Sequence, residues 1–264
     1  MQMVSVNGVR LHAALTGPVD GRPIVFANSL GTDFRVWDRV LARLPGDLRV
    51  LRYDKRGHGL SEVPPGPYTI DALTADAAGL MDWAGMRGAL FVGLSIGGLI
   101  GQALASTRPE LCRALVLMDT AAKIGGAALW QERIAAIRAG SLSAIAPATM
   151  ERWFSTSFRD EQAEEVAGWR TMLERMPEEG YIACAEAIAA ADLTEASRAL
   201  TLPTLAICGE EDGSTPPDLV RATADLIAGC RFELIAGAGH LPCVEAPERI
   251  TGLLTAFLEE TRDG

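Results

Sequence analysis

One stretch constrains everything else in this chain: Ala89-Leu90-Phe91-Val92-Gly93-Leu94-Ser95-Ile96-Gly97-Gly98-Leu99-Ile100-Gly101. An apolar run rich in strand formers halts at Gly93, and an apolar run with small residues resumes after Gly97. Between them stands a single hydroxyl. This Gly-x-Ser-x-Gly spacing fits a strand that turns sharply into a helix and holds the serine on a strained backbone. Glycines are required on either side because a Cβ there would strike neighbouring backbone. Ser95 would then present its Oγ at the positive end of the following helix. Gly-rich strand-to-helix turns also cradle phosphates, so the pattern alone leaves that reading open. A lone serine is a poor nucleophile, and a base and an acid must be sought elsewhere in the chain.

A length of 264 residues suits one large domain or a domain with an insertion. The formal net charge of −10 argues against nucleic acid or an anionic membrane as a partner. It also requires that any anionic ligand be met by a local cation. The five cysteines, Cys112, Cys184, Cys208, Cys230 and Cys243, form no C-x-x-C and lie mostly among apolar neighbours, as expected of buried free thiols in a reducing compartment. The three histidines, His12, His58 and His240, are too few and too scattered for a histidine-based metal site. The first residues lack the pattern of a secretory leader, and no apolar run reaches membrane-spanning length, so the chain is expected in the cytoplasm.

Along the chain, Val4 to His12 reads as two alternating strands joined at Asn7-Gly8, with His12 expected at the surface. Pro23 to Ala27 is apolar throughout, as in a central strand of a covered sheet. Arg35 to Leu44 has helical spacing, Val50 to Tyr53 is a strand, and Asp54 to Gly59 is a Gly-rich turn. A helix follows over Ile70 to Trp83, then the Ser95 strand and helix, then a strand Ala114 to Met118. This alternation implies an α/β protein with a mostly parallel sheet and helices on both faces. It breaks from about Ala122 to Arg198, where Ala-rich helical stretches carry Trp130, Trp153 and Trp169. Strand and helix alternate again from Pro203, with strands ending at Cys208 and Ile235, a helix over Asp218 to Ile227 and a last helix from Pro247. The expected design is a core of residues 1–121 and 199–264 interrupted by a helical cap of residues 122–198.

In open parallel sheets, functional groups gather at the carboxyl ends of strands. Two late loops occupy such ends: Gly209-Glu210-Glu211-Asp212-Gly213-Ser214-Thr215-Pro216 and Ala236-Gly237-Ala238-Gly239-His240-Leu241-Pro242. The order Ser95, Asp212, His240 is that of nucleophile, acid and base in an α/β-hydrolase. Asp119, at the end of the strand before the cap, competes with Asp212 for the acid role, as do Glu210 and Glu211. His58 competes with His240, though its Gly-rich turn suits a structural role. An oxyanion hole needs two backbone N–H groups, each worth ~3 kcal/mol. Ile96 would supply one and Leu30, in the loop Asn28-Ser29-Leu30-Gly31, the other.

At this point the chain resembles the 3-oxoadipate enol-lactonases of the α/β-hydrolase fold. The resemblance rests on Asn28 to Thr32 and Trp37-Asp38, on Arg52 to Gly59, on Val63 to Thr69, and on Gly93 to Gln102. It continues through Asp119 to Ala122, Trp130-x-x-Arg133 and Glu245-Ala246-Pro247. It runs nearly the whole length and is weakest over residues 140 to 200. Where many hydrolases of this fold carry His-Gly, this chain has Asn28-Ser29. The resemblance implies a serine hydrolase that opens 3-oxoadipate enol-lactone to 3-oxoadipate in the β-ketoadipate route of aromatic breakdown. It needs no metal or cofactor, and its partner is a small anionic lactone; a homo-oligomer is left open. Trp130 and Arg133 share a helix face, and the resemblance places them over Ser95 as substrate-binding residues together with Ser29, Arg133 clamping the carboxylate. The competing readings are a general carboxylesterase or cofactor-free perhydrolase on the same triad, and a non-enzymatic ligand receptor on this scaffold. A dehalogenase would want aspartate where Ser95 stands.

Overall fold

The computed structural model describes residues 2–262. Its elements in chain order are β1 (Gln2–Val6), β2 (Val9–Thr16), β3 (Arg22–Ala27), α1 (Asp38–Leu41), β4 (Leu48–Tyr53), α2 (Ile70–Trp83), β5 (Ala89–Leu94), α3 (Ile96–Thr107) and β6 (Cys112–Met118). The helices α4 (Ala127–Trp153), α5 (Thr156–Glu161), α6 (Ala163–Glu174), α7 (Glu178–Ala190) and α8 (Thr194–Arg198) come next. They are followed by β7 (Thr204–Gly209), α9 (Pro217–Ala224), β8 (Arg231–Ile235), α10 (Pro242–Glu245) and α11 (Pro247–Glu260). The strands form one eight-stranded sheet in the order β1-β2-β4-β3-β5-β6-β7-β8. β1 and β2 pair antiparallel, as do β2 and β4, and all other pairings are parallel.

Handedness then places the helices. The chain crosses from β3 to β4 in one direction and from β4 through β5 to β8 in the other, so right-handed crossovers put α1 on one face and α2, α3 and α9 on the other. In keeping with this, α11 packs on α1, while α2 packs on α3. The strand order reverses between β3 and β5, which opens a crevice at the carboxyl ends of these two neighbours. The central strands β5 and β7 are buried along their whole length, which is why each reads as a continuous apolar run. None of the helices is long and apolar enough to cross a membrane among the described residues.

The Asn7-Gly8 hairpin is present, both turn residues having positive φ (48° and 75°). Two expectations are corrected. His12 is not a surface residue: it is 6% exposed, and its Nδ1 lies 2.7 Å from Asp54 Oδ2. The loop after β4 covers this part of β2, Ser61 Oγ accepting from His12 N and Asp54 N donating to His12 O, and so seals the ring inside. The helical spacing of Arg35 to Leu44 is realised as a 3-10 turn over Phe34–Trp37 followed by the short α1. The Asp33 side chain caps the first turn by accepting from Arg35 N. Within α4 the backbone leaves helical geometry at Gly140 and Ser141, giving a kink.

The turn at Ser95 is as tight as the spacing demands. A Cβ on Gly97 would sit 2.2 Å from the Ala27 carbonyl oxygen of β3, and one on Gly93 would sit 2.2 Å from Gly97 O. The first turn of α3 therefore presses directly on the end of β3. Gly97→Ala is expected to lower stability by about 2–3 kcal/mol, or roughly 5–10 °C in Tm, because the clash is with backbone that cannot swing aside. Gly46→Ala, which meets no atom within 4 Å, is the control and should stay within about 0.5 kcal/mol of the parent in thermal unfolding.

Candidate active site

Ser95 follows the last residue of β5 with φ 57° and ψ −119°, a conformation sparsely populated by side chains other than glycine. Three contacts hold it there. Ser95 N donates to Met118 O at the end of β6, Thr120 Oγ1 donates to Ser95 O at 2.6 Å, and Gly98 N returns to the same carbonyl. Ser95, Ser29, Leu30, Thr215 and His240 all line one cavity of about 440 Å³.

His240 lies in the loop after β8 and is 2% exposed. Its Nδ1 is 2.9 Å from each carboxylate oxygen of Asp212, in the loop after β7. The same carboxylate accepts from Ser214 N and Thr215 N on Oδ1 and from Thr215 Oγ1 on Oδ2, so both oxygens are held by donors. Burial alone would raise Asp212, but the His240 ring and the Thr215 donors outweigh it and hold the carboxyl below the usual carboxylate range. An ionised Asp212 fixes the ring tautomer, leaving Nε2 as the acceptor. That nitrogen is 3.4 Å from Ser29 Oγ, and no hydrogen bond joins it to Ser95 Oγ among the described residues.

The rivals for these roles stand apart from the cavity. His58 is fully buried behind the loop after β3, where its Nε2 accepts from Gly31 N at 3.0 Å. Burial, then the nearby Lys55 charge, pushes its ring well below the ordinary histidine value, so it stays neutral. Glu210 and Glu211 are spent on Gly237 N and Thr156 N. Asp119 is different. Its Oδ1 accepts from Gly209 N at 2.8 Å, its Oδ2 is buried without a partner, and it forms with Asp212 and Cys208 a group whose polar atoms all lie within 4.8 Å of one another. Burial first and the Asp212 charge second hold the Asp119 carboxyl well above its ordinary value. Since Asp212 is already saturated by His240 and Thr215, this group suits a shared proton better than a metal ion.

Leu30 N and Ile96 N, the expected oxyanion donors, have no backbone or side-chain acceptor among the described residues. Trp130 and Arg133, which their spacing puts on one helix face, both line the cavity from α4. Trp130 Nε1 donates to Ile124 O, which fixes the indole, and the Arg133 guanidinium lies 5.6 Å from the Trp130 ring and 5.7 Å from the Tyr181 ring. Arg152 joins them, a residue the sequence reading did not single out. Arg133 Nη2 and Arg152 Nη2 both donate to Thr149 Oγ1, at 3.2 and 3.0 Å. Burial, then the neighbouring Arg133 charge, pushes Arg152 below its ordinary value. Neither guanidinium has an acidic partner among the described residues, whereas Arg138 in the same helix pairs with Glu186 at 3.7 Å. The signal for Arg152 was present in the requirement for local cations in an acidic chain, but the kink in α4 that sets its direction is tertiary.

Comparison with known proteins shows the family. Residues 10–252 match the alpha/beta hydrolase family. Two curated relatives from Acinetobacter baylyi, 3-oxoadipate enol-lactonase 2 and 3-oxoadipate enol-lactonase 1, are 34% and 32% identical; they cover 97% and 96% of this chain and match over 96% and 94% of their own lengths. The crystal structure of the enol-lactonase from Burkholderia xenovorans LB400 superposes with a TM-score of 0.94 at 38% identity, over 98% of this chain and 100% of that one. A thermophilic esterase from Thermogutta terrifontis superposes with a TM-score of 0.92 at 30% identity over 99% of both chains. The chain belongs to the α/β-hydrolase family, as a relative of the 3-oxoadipate enol-lactonases.

Proposed function

We propose that this chain is a serine hydrolase that opens 3-oxoadipate enol-lactone to 3-oxoadipate through an acyl-enzyme, in the β-ketoadipate route of aromatic catabolism. The observation that carries this reading is the pair of acid-free guanidinium groups, Arg133 and Arg152, lining the same cavity as Ser95 and His240. Two half-buried cations that repel each other gain most from an anion placed between them and the serine. The lactone carries one carboxylate for this position and one acyl carbonyl for Ser95. The names of the relatives support the same substrate.

The chemistry follows from the side chains. His240 Nε2 takes the Ser95 proton as Oγ attacks the lactone carbonyl, a contact that apo hydrolases often hold loosely and tighten with substrate bound. Asp212 stabilises the imidazolium that forms. Leu30 and Ile96 N–H meet the developing oxyanion. The C–O bond to the ring oxygen breaks with an enol as leaving group, which takes the proton from His240 and ketonises, making the step effectively irreversible. Water deprotonated by His240 then attacks the acyl-enzyme and releases Ser95. Asp119 carries the extra proton of the buried carboxyl pair and leaves Asp212 ionised. The free thiols, four of five buried, fit a reducing compartment and hence the cytoplasm.

Ser95→Ala should reduce lactone turnover by at least 10³-fold, and full retention of activity would overturn the mechanism. Arg133→Met and Arg152→Met should each lower kcat/KM for the anionic lactone by about 10- to 100-fold while changing hydrolysis of p-nitrophenyl acetate less than about threefold. Equal losses on both substrates would remove the clamp, and a wild-type preference for the neutral ester would favour a general carboxylesterase. Asp119 is held above its unfolded pKa, so the stability it contributes is present below the unfolded value of 3.8 and is lost as pH rises toward its folded value. In Asp119→Asn the amide keeps the Gly209 contact without a titrating proton. Its unfolding free energy should therefore fall less than that of wild type between pH 5 and pH 8, by up to about 1.4 kcal/mol per pH unit. Parallel stability curves in urea titrations at the two pH values would contradict this.

A further inference from the structure

Behind the loop that carries Leu30 lies a buried cation that the reaction as described does not use. Lys55 is 2% exposed, in the Gly-rich turn after β4. Its Nζ donates to Ser29 O at 2.7 Å and, among the described residues, forms no ion pair within 4 Å. Thr32 also donates to that carbonyl, through Oγ1 at 3.0 Å and through N at 3.3 Å. Ser29 C=O and Leu30 N–H belong to one planar peptide unit, so three donors pull on one end of a dipole whose other end is a free N–H. On the next peptide, Gly31 N is taken by His58 Nε2. Of these two consecutive N–H groups, the one on Leu30 is left without an acceptor among the described residues.

We propose that Lys55 is a positioning residue that polarises the Ser29–Leu30 peptide and thereby strengthens Leu30 N–H as a donor to the oxyanion. The proposal rests on the reading of Leu30 as an oxyanion donor. Hydrogen bonds in series polarise one another, and a buried ammonium does so more than a neutral donor because little water screens it. Burying an ammonium against a single carbonyl is costly, and a loop anchor alone would not need the charge. Thr32, the Asn28 side chain bonded to Thr32 and the His58–Gly31 contact already tie the loop down.

The charge is also titratable in a useful range. Burial pulls the Lys55 ammonium down to about 8, opposed by the charges of Asp54 and Asp33 on the flanking loops. His58, which also faces it, stays neutral. Cys184 is raised to about 12 and Tyr181 is raised above its ordinary value, both chiefly by burial, so neither ionises near pH 8. Above pH 8 the neutral amine still donates to Ser29 O, and the loop keeps its anchor while the charge is lost.

The test is the pH profile of enol-lactone hydrolysis from pH 6.5 to 10, corrected for the uncatalysed reaction, for wild type and Lys55→Met. In wild type, kcat and kcat/KM should fall together about tenfold through a pKa near 8 to a lower plateau. That is well short of the ~10²–10³-fold loss seen when a whole oxyanion donor is removed. Lys55→Met should lie on the lower plateau at every pH, with KM unchanged. A wild-type profile flat to pH 10, or a Lys55→Met profile that keeps the limb, overturns the proposal. A role in anchoring alone would change KM or Tm and leave the limb absent from wild type. The wild-type profile is decisive even if Lys55→Met does not fold. Ser95→Ala separates the two levels: an active Ser95→Ala sinks the hydrolase reading itself, whereas an inactive one beside a flat wild-type profile sinks only the role of Lys55.

Discussion

The structure depends on one close approach, the first turn of α3 against the carboxyl end of β3. Gly97 lies against the Ala27 carbonyl without room for a Cβ, and Gly93 and Gly97 meet with no side chain between them. This contact draws the end of β5 beside the end of β3, where the strand order reverses. It brings Ser95 to the loop that carries Leu30, and the strained φ of Ser95 is held by bonds to β6 and Thr120. Strain at this position is stored by the surrounding sheet, which is why a rigid scaffold is needed under a small loop-borne site.

Electrostatics divides the same crevice into layers. Nearest the sheet, two carboxyl groups share a buried space: burial and the Asp212 charge raise Asp119, while His240 and the Thr215 donors hold Asp212 low. Beside them, a buried lysine stands behind the peptide of Ser29. On the helical side, Arg133 and Arg152 face the cavity with only Thr149 between them. An acidic chain thus concentrates unpaired positive charge at one place, where an anion entering the cavity is met by groups whose cost of burial has already been met by folding.

How much was legible in the sequence follows from the range of the interactions. The elbow could be read because glycine spacing and apolar runs are local, and β5, β6 and β7 could be read because buried parallel strands write themselves as nearly continuous apolar stretches. Asp212 and His240 were found by their places after strands, and the structure brings their side chains together. His12 was misjudged because alternation in a strand cannot show what covers it; the loop carrying Asp54 and Ser61 does so from far along the chain. Arg152 escaped notice because its direction depends on the kink at Gly140 and Ser141, and on Thr149 turning inward.

By itself the sequence determined the α/β alternation, the strained serine turn, the places of Asp212 and His240 after later strands, and the need for local cations in a chain of net charge −10. Each is encoded within a few residues or in composition. Only the tertiary structure decided that Asp119 is raised while Asp212 is lowered, that Arg133 and Arg152 have no acidic partner among the described residues, and that Lys55 stands behind the Leu30 peptide. Those properties arise from groups brought together across the fold, where burial removes water and makes distances of a few ångströms decide the charge.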